Sequence, residues 1–211
     1  MPRLERVTLV GAHVRLEPLT LADAPALHRA ASGSRATFAW TLVPDSLAAT
    51  EAYVAKALGE EERGESLPFV VKDASGEAVG TTRYLGIEHW SWAPHAPLEP
   101  VPSGPDALEI GATWYAERVQ RTGVNTEAKL LLCAHAFETL GVRRIAWKTD
   151  ARNARSREAI LRLGATFDGI LRAHRPGADG VVRDSAYYSM LRGEWGEAKA
   201  ALQQKLAASR L

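Results

Sequence analysis

Cysteine is almost missing from this chain: Cys133 is the only one in 211 residues, so no disulfide within the chain staples it. The residues around Cys133 repeat with helical period, a setting in which a small thiol packs as a hydrophobe and gives no support for a nucleophile. Charge imbalance is missing as well. Lys and Arg number 26 against 25 Asp and Glu, and the basic residues are scattered, which excludes the electrostatic footprint of a duplex-binding protein. No apolar run approaches the ~20 residues of a membrane span, and the N-terminal stretch with Glu5 lacks a signal-like apolar core. The expectation is a soluble cytoplasmic protein with no nucleic-acid or membrane partner and no metal. Neither G-x-x-x-x-G-K-[ST] nor G-x-G-x-x-G occurs, so the two common nucleotide-binding loops are excluded.

What is present reads as one α/β domain over residues 1–211, too short to divide comfortably into two. Val14 to Pro18 alternates like a strand. Thr20 followed by Asp23 marks a helix start leading to Ala31, and Pro44-Asp45-Ser46 introduces a second helix from Leu47 to about Glu62. Leu67–Lys72 and Ala78–Ile87 flank a Ser-Gly turn and form a hairpin. His89 to Asp106 holds five prolines without periodicity, a long loop of the kind that carries function. Then come a strand (Leu108–Tyr115), a helix (Glu127–Leu140) ended by Gly141, and a strand (Arg144–Asp150). A helix (Ala154–Leu163), two strands (Thr166–Arg172, Arg183–Leu191) joined through Asp179-Gly180, and a last helix from Glu194 to about Ser209 complete the chain.

The most informative stretch is Gln120-Arg121-Thr122-Gly123-Val124-Asn125-Thr126, between a strand and a helix. A glycine permits a sharp turn, Asn125 or Thr126 can cap the helix, and the first-turn N–H groups then point outward without partners. Such a corner suits a phosphate or pyrophosphate, with Arg121 and Lys129 adding positive charge at its rim.

Gln120-x-x-Gly123-x-Asn125 resembles the Q/R-x-x-G-x-G/A loop of the GNAT superfamily of acyl-CoA-dependent N-acyltransferases. The longer pattern is similar to the RimJ/RimL-type branch, the ribosomal-protein N-terminal acetyltransferases. It comprises Glu109-Ile110-Gly111, Asn125 to Lys129, Ala136 to Gly141, Lys148 to Asp150 with Asn153 and Ser156, and Ala159 to Ala165. Leu171-Arg172 with His174, Asp179-Gly180, Arg183-Asp184 and Glu194-Trp195 follow in order. Asn125 departs from the family by replacing a small residue at the end of the loop, where its side chain can either cap the helix or crowd the pyrophosphate.

The resemblance implies a mixed, mostly antiparallel sheet with a splayed strand pair, flanked by helices. It also implies acetyl-CoA as co-substrate and direct acetyl transfer to an amine, either a protein N-terminus or a small molecule. A detoxifying acetyltransferase and a catalytically idle acyl-CoA-binding module are the alternatives, and a homodimer is the remaining partner to test. An amine attacks only when neutral. Near pH 7 about one lysine-like amine in 2,500 is neutral, against roughly one α-amine in 6 to 11, so base assistance matters most for the former.

Glu109, a carboxylate in an apolar strand, is the first candidate base, with a structural ion pair to an arginine on a neighbouring strand as the competing role. His174 is the second candidate, and His135 reads as a partly buried helix residue. By resemblance, backbone N–H groups near Trp114 and Tyr115 would hold the oxyanion, and Asn153 would bind pantetheine. Ser156 would stand in for a tyrosine that the family carries at the position of Ile160. Trp40, Trp90 and Tyr187 are candidates for the acceptor side, Trp40 also fitting a core place beside Phe38. Gly123→Val is expected to fill the pyrophosphate's space.

Overall fold

The computed structural model describes residues 3–94 and 104–208. Among them, eight strands form one sheet in the order β1-β2-β3-β4-β5-β6-β8-β7. The strands are β1 (Leu9–Val10), β2 (Val14–Pro18), β3 (Ser66–Asp73), β4 (Ala78–Glu88), β5 (Ala107–Tyr115), β6 (Arg144–Asp150), β7 (Thr166–Pro176) and β8 (Val182–Leu191). The helices are α1 (Ala24–Ala31), α2 (Leu47–Glu62), α3 (Gly123–Ala134), α4 (Ala154–Leu161) and α5 (Trp195–Ala208). Apart from the two-residue β1, the order of elements is the one expected.

Local chemistry accounts for the boundaries. Asp23 Oδ2 accepts from both Thr20 N–H and Thr20 Oγ1–H at 2.8 Å, closing the turn that leads into α1. Ser46 Oγ accepts from Ala49 N–H at 3.2 Å and caps α2. The β3–β4 turn is held by Asp73 Oδ1, which accepts from Ser75 N–H, and by Gly76 at φ 85°.

α3 differs from expectation at both ends. It starts at Gly123 rather than Glu127, because Thr122 takes the cap: its Oγ1 accepts from Val124 N–H at 3.3 Å. After Ala134 a single π-helical turn, His135–Thr139, replaces the expected α-helical continuation before Gly141 at φ 70°.

The period of two along the strands sorts the faces. Leu108, Ile110, Ile145, Trp147, Ala186, Tyr188 and Met190 point to one side and join the buried core under α3 and α5, with Leu132, Trp195 and Leu202. On the opposite side α1 and α2 pack over β4 and β3, where Leu27, Val54, Val70 and Trp114 form a second core. Each fully buried large apolar side chain contributes about 1.5–3 kcal/mol, so these two layers hold the sheet rigid. The residues between the core positions of β5, β6 and β8 (Glu109, Lys148, Ser185, Tyr187) face the α1/α2 side, beyond the strands those helices cover.

Two buried polar residues tie the layers together. Glu127, near the start of α3, accepts three backbone N–H groups from the β1–β2 turn, those of Ala12, His13 and Val14, at 2.9, 2.5 and 2.9 Å. Lys129 is buried beneath the sheet and donates to Thr113 Oγ1 at 2.7 Å and Thr82 Oγ1 at 3.2 Å. It therefore adds no charge at the rim of the loop before α3, contrary to expectation; helical period points it inward, beside Ala128.

Burial pulls the Lys129 ammonium from its ordinary 10.5 down to about 7. The sign follows from linkage: between those values the unfolded chain binds the extra proton, so this group makes stability rise with pH across about 7 to 10.5. Lys129→Met is expected to remove that rise and raise stability at pH 7, as thermal melts from pH 7 to 10 would read.

Candidate active site

The sheet has one parallel pair, β5 with β6, and it is short. Ala107, Leu108 and Glu109 pair with Arg144, Ile145 and Ala146, after which the strands part although both continue. Beyond Glu109 the backbone of β5 therefore has β4 on one side and a gap on the other. Ala116 N–H donates to Val79 C=O at 2.7 Å, which turns the Tyr115 N–H and C=O, one residue back, toward the gap side. The Trp114 peptide faces β4 instead, and its side chain lies in the second core against Phe38, with ring centroids 6.2 Å apart. A bulge at Ala112 (φ 48°) bends β5 just before this point. Burial raises the Tyr115 phenol far above its ordinary value and keeps it neutral.

At the mouth of the gap lies the start of α3. Gly123, Val124 and Asn125 are its first three residues, so their N–H groups have no carbonyl a turn back to bond and the helix dipole adds positive potential. The left-handed residue that makes the corner is Arg121 (φ 62°), not Gly123. A Cβ on Gly123 would sit at ordinary contact distance from His13 Cδ2 (3.4 Å) and Leu206 Cδ2 (3.5 Å), so a valine here would grow toward the N-terminal turn and α5 rather than into a ligand's space. Thr126 follows in the same turn, and the Arg121 side chain is exposed.

Gln120 acts as a clasp: its amide donates to Tyr115 C=O at 3.0 Å and Thr37 Oγ1 at 3.2 Å and accepts from Arg155 at 3.3 Å. Arg155, on the first turn of α4, places a second cation beside the loop. The sequence reading passed over it, although its position two residues after Asn153 was visible. Asn153 caps α4, its Oδ1 accepting from Ser156 N–H at 3.1 Å. Ser156 is half-buried on the same turn, and Ile160 is in the core.

A line of polar side chains crosses the face on the α1/α2 side. Lys148 Nζ lies 2.5 Å from Glu109 Oε2, and it lies 6.0 Å from the centre of the Tyr187 ring, its register partner on β8. The Tyr187 hydroxyl is 3.3 Å from His174 Nε2, and His174 Nδ1 is 2.9 Å from Ser185 Oγ. His174 reaches this line through a bulge: Ala173 adopts φ 49° and its N–H is held by Asp184 Oδ1 at 2.8 Å, which swings the imidazole over β8. Burial, then the charge of Lys148, lowers the affinity of His174 for a proton, so it is neutral near pH 7. Glu109, Tyr187 and His174, widely separated in sequence, are thus brought together, with Lys148 as the link the sequence reading missed. The ion-pair partner of Glu109 is on a neighbouring strand as anticipated, but it is a lysine rather than an arginine.

Trp40 is not the core residue beside Phe38; its ring carries the Arg152 guanidinium at 4.4 Å, just past the end of β6. Trp90 is elsewhere. Its ring lies tilted 5.9 Å from that of Trp92, which carries Arg143 at the start of β6, so Trp40 and Trp90 flank opposite ends of a strand about 20 Å long. The tip of the 89–106 loop lies outside the described residues. His135 is half-buried against Tyr84, 3.2 Å from its hydroxyl, and takes no part in this face.

The fold that frames this site has counterparts among known proteins. Residues 13–166 match the family model described as acetyltransferase (GNAT) domain. A GCN5-related N-acetyltransferase of Brucella melitensis superposes with a TM-score of 0.80 at 32% identity, covering 97% of this chain and 87% of its own. RimJ of Mycobacterium smegmatis, solved with CoA-disulfide, gives a TM-score of 0.77 at 21% identity over 95% of both chains, a likeness of fold. YdaF of Bacillus subtilis (strain 168), named as a ribosomal N-acetyltransferase, is 34% identical over 87 residues, 41% of this chain and 46% of that protein. The chain thus spans about half the length of this curated relative. Family model and structural neighbours agree: this chain belongs to the GNAT family of acetyltransferases, and within it the curated similarity is to a ribosomal N-acetyltransferase.

Proposed function

We propose that this protein transfers acetyl from acetyl-CoA to a primary amine by direct attack within a ternary complex. The observation that carries the reading is the parting of β5 from β6 immediately beyond Glu109, with the start of α3 at the mouth of the gap. The pyrophosphate of acetyl-CoA takes the unpaired N–H groups of the first turn of α3, those of Gly123 and Asn125, with Arg121 and Arg155 nearby. The pantetheine arm runs past Asn153 into the gap. The thioester oxygen meets the Tyr115 N–H, a donor already in place where charge develops.

The amine approaches from the α1/α2 side, between Trp40 and Tyr187. Its nitrogen attacks the thioester carbon, Glu109 receives the proton, and the C–S bond breaks as the intermediate collapses. The Ser156 hydroxyl is the nearest replacement for the family's tyrosine. A free thiol has pKa ~8.5, so the thiolate leaves without a strong acid. Cys133 is not the attacking group: it is fully buried, and its thiol is pushed up to about 12 by burial.

Calorimetric titration tests the reading. Acetyl-CoA and free CoA are expected to bind and ATP to give no heat, after which amines and N-terminal peptides are screened for turnover. No binding of either CoA species would overturn it. CoA binding without turnover on any amine would leave a binding module, the alternative that Asn125 in the loop and Ile160 in place of a tyrosine favour.

A further inference from the structure

The face that carries Glu109 also carries two arginines to which acetyl transfer gives no task. Arg175 on β7 and Arg183 on β8 are directly opposite one another in register. Like charges so placed repel. Arg183 is half-buried, and its one hydrogen bond runs from Nε to Ser185 Oγ at 3.1 Å, leaving its terminal nitrogens without a partner among the described residues.

The nearby acids are already engaged: Glu109 by Lys148, and Asp150 and Asp179 by Arg152. Burial first, then the charge of Arg175, lowers the Arg183 guanidinium below its ordinary range, with Asp150 and Glu109 opposing. Ser185 Oγ joins the arginine to His174, which continues to Tyr187. The two guanidinium groups therefore lie on the acceptor face, Arg183 with no carboxylate in direct contact, and a terminal guanidinium edge is shaped for a carboxylate or phosphate.

We propose that Arg183 and Arg175 form an anion subsite, and that the acceptor is a primary amine whose molecule also carries a carboxylate or phosphate. This rests on the acetyl-transfer reading above. Spacing narrows the class: Arg183 is four residues along β8 from Tyr187, about 13 Å between Cα atoms. The α-carboxylate of a free amino acid is too close to its amine to reach. An acidic side chain a residue or two into a peptide spans the distance, as does a phosphate on a longer small molecule.

Two matched pairs of acceptors distinguish these sources. Ser-Ala-Asp-amide is compared with Ser-Ala-Asn-amide, and aminohexyl phosphate with aminohexanol, each with the parent and Arg183→Gln proteins. The parent is expected to favour the charged member of at least one pair by about tenfold in kcat/KM, and Arg183→Gln to bring that ratio near one, as loss of a charge-assisted pair requires. A parent that treats both members of each pair alike, or a preference that survives Arg183→Gln, would overturn the acceptor class.

Inorganic phosphate is also titrated into the CoA-loaded protein while the Arg183 Nε–H signal is followed by NMR. A saturable shift supports the subsite, and its absence overturns it whether or not any amine is acetylated. Failure of every amine with the parent protein, by contrast, counts against the acetyl-transfer reading, and the phosphate titration then decides the arginine pair alone.

Discussion

Glu109→Gln is expected to lower kcat/KM for amine acetylation at pH 7 by about 10²- to 10³-fold, the usual worth of a positioned general base. The side chain keeps its length and its place on β5, but it no longer accepts a proton or balances the Lys148 ammonium 2.5 Å away. Acetyl-CoA affinity should be unchanged, because the anion-binding groups are on α3 and not on this strand. The loss should shrink as pH rises toward 9, most steeply for an α-amine, whose own deprotonation then makes the base dispensable. Lys148→Met is the control: it removes the ion pair and keeps the carboxylate. If Lys148→Met is as damaging as Glu109→Gln while Glu109→Gln shows no recovery with pH, Glu109 serves the sheet and not the reaction.

Glu127→Ala carries the largest expected effect on stability. One carboxylate accepts three backbone N–H groups of the β1–β2 turn at 2.5 to 2.9 Å, and hydrogen bonds to a charged acceptor contribute about 1.5–3 kcal/mol each before the turn relaxes and water replaces some of them. A net loss of about 3 kcal/mol follows, or a fall in Tm of roughly 6–12 °C for a chain of this size. Glu127→Gln should recover part of this, since an amide oxygen still accepts one or two of the bonds. The turn also stands against α3, where His13 approaches Gly123, so acetyl-CoA affinity should weaken along with stability. A melting temperature within 2 °C of the parent would show that water takes over the three donors at little cost.

The contrast between these residues shows what a sequence exposes. β6 and α2 were legible to the residue, one from alternation and the other from a serine cap with helical period behind it. The bend at Arg121 was not, because arginine is no marker for left-handed backbone; the glycine two places on drew the turn to itself. Thr122 lost the cap to Asn125 and Thr126 for the same reason, since all three have capping side chains and only the bend decides among them. Glu109 stood out as a charge in an apolar strand. Its partner Lys148 did not, since the pairing crosses a parallel strand contact that no local pattern encodes. His174 was noticed near a strand end, yet its aim depends on a bulge at Ala173, and alanine gives no sign of one. Lys129 was readable and was misread: it lies within the apolar stripe of Ala128, Leu132 and Cys133, so its burial followed from period alone.

The position of β8 between β6 and β7 has a consequence for how the chain assembles as it is made. Strands β2 to β5 are each neighbours of the next, so they can zip in order of synthesis. β6 holds β5 by only three residue pairs, and β7 has no neighbour but β8. Until β8 emerges, Ile145 and Trp147 lack their register partners Met190 and Tyr188, and Phe167, Ile170 and Leu171 belong to a strand with nothing to pair with. Completion of the C-terminal half therefore waits for one late segment, which closes a local hairpin with β7 but also a non-local pairing with β6, from Asp150–Ser185 to Arg144–Leu191. The latter is the kind of contact that slows folding and leaves apolar surface open longest. A ribosome that pauses before residue 182 would hold a nascent chain whose first half is sheet and whose acetyl-transfer face does not yet exist.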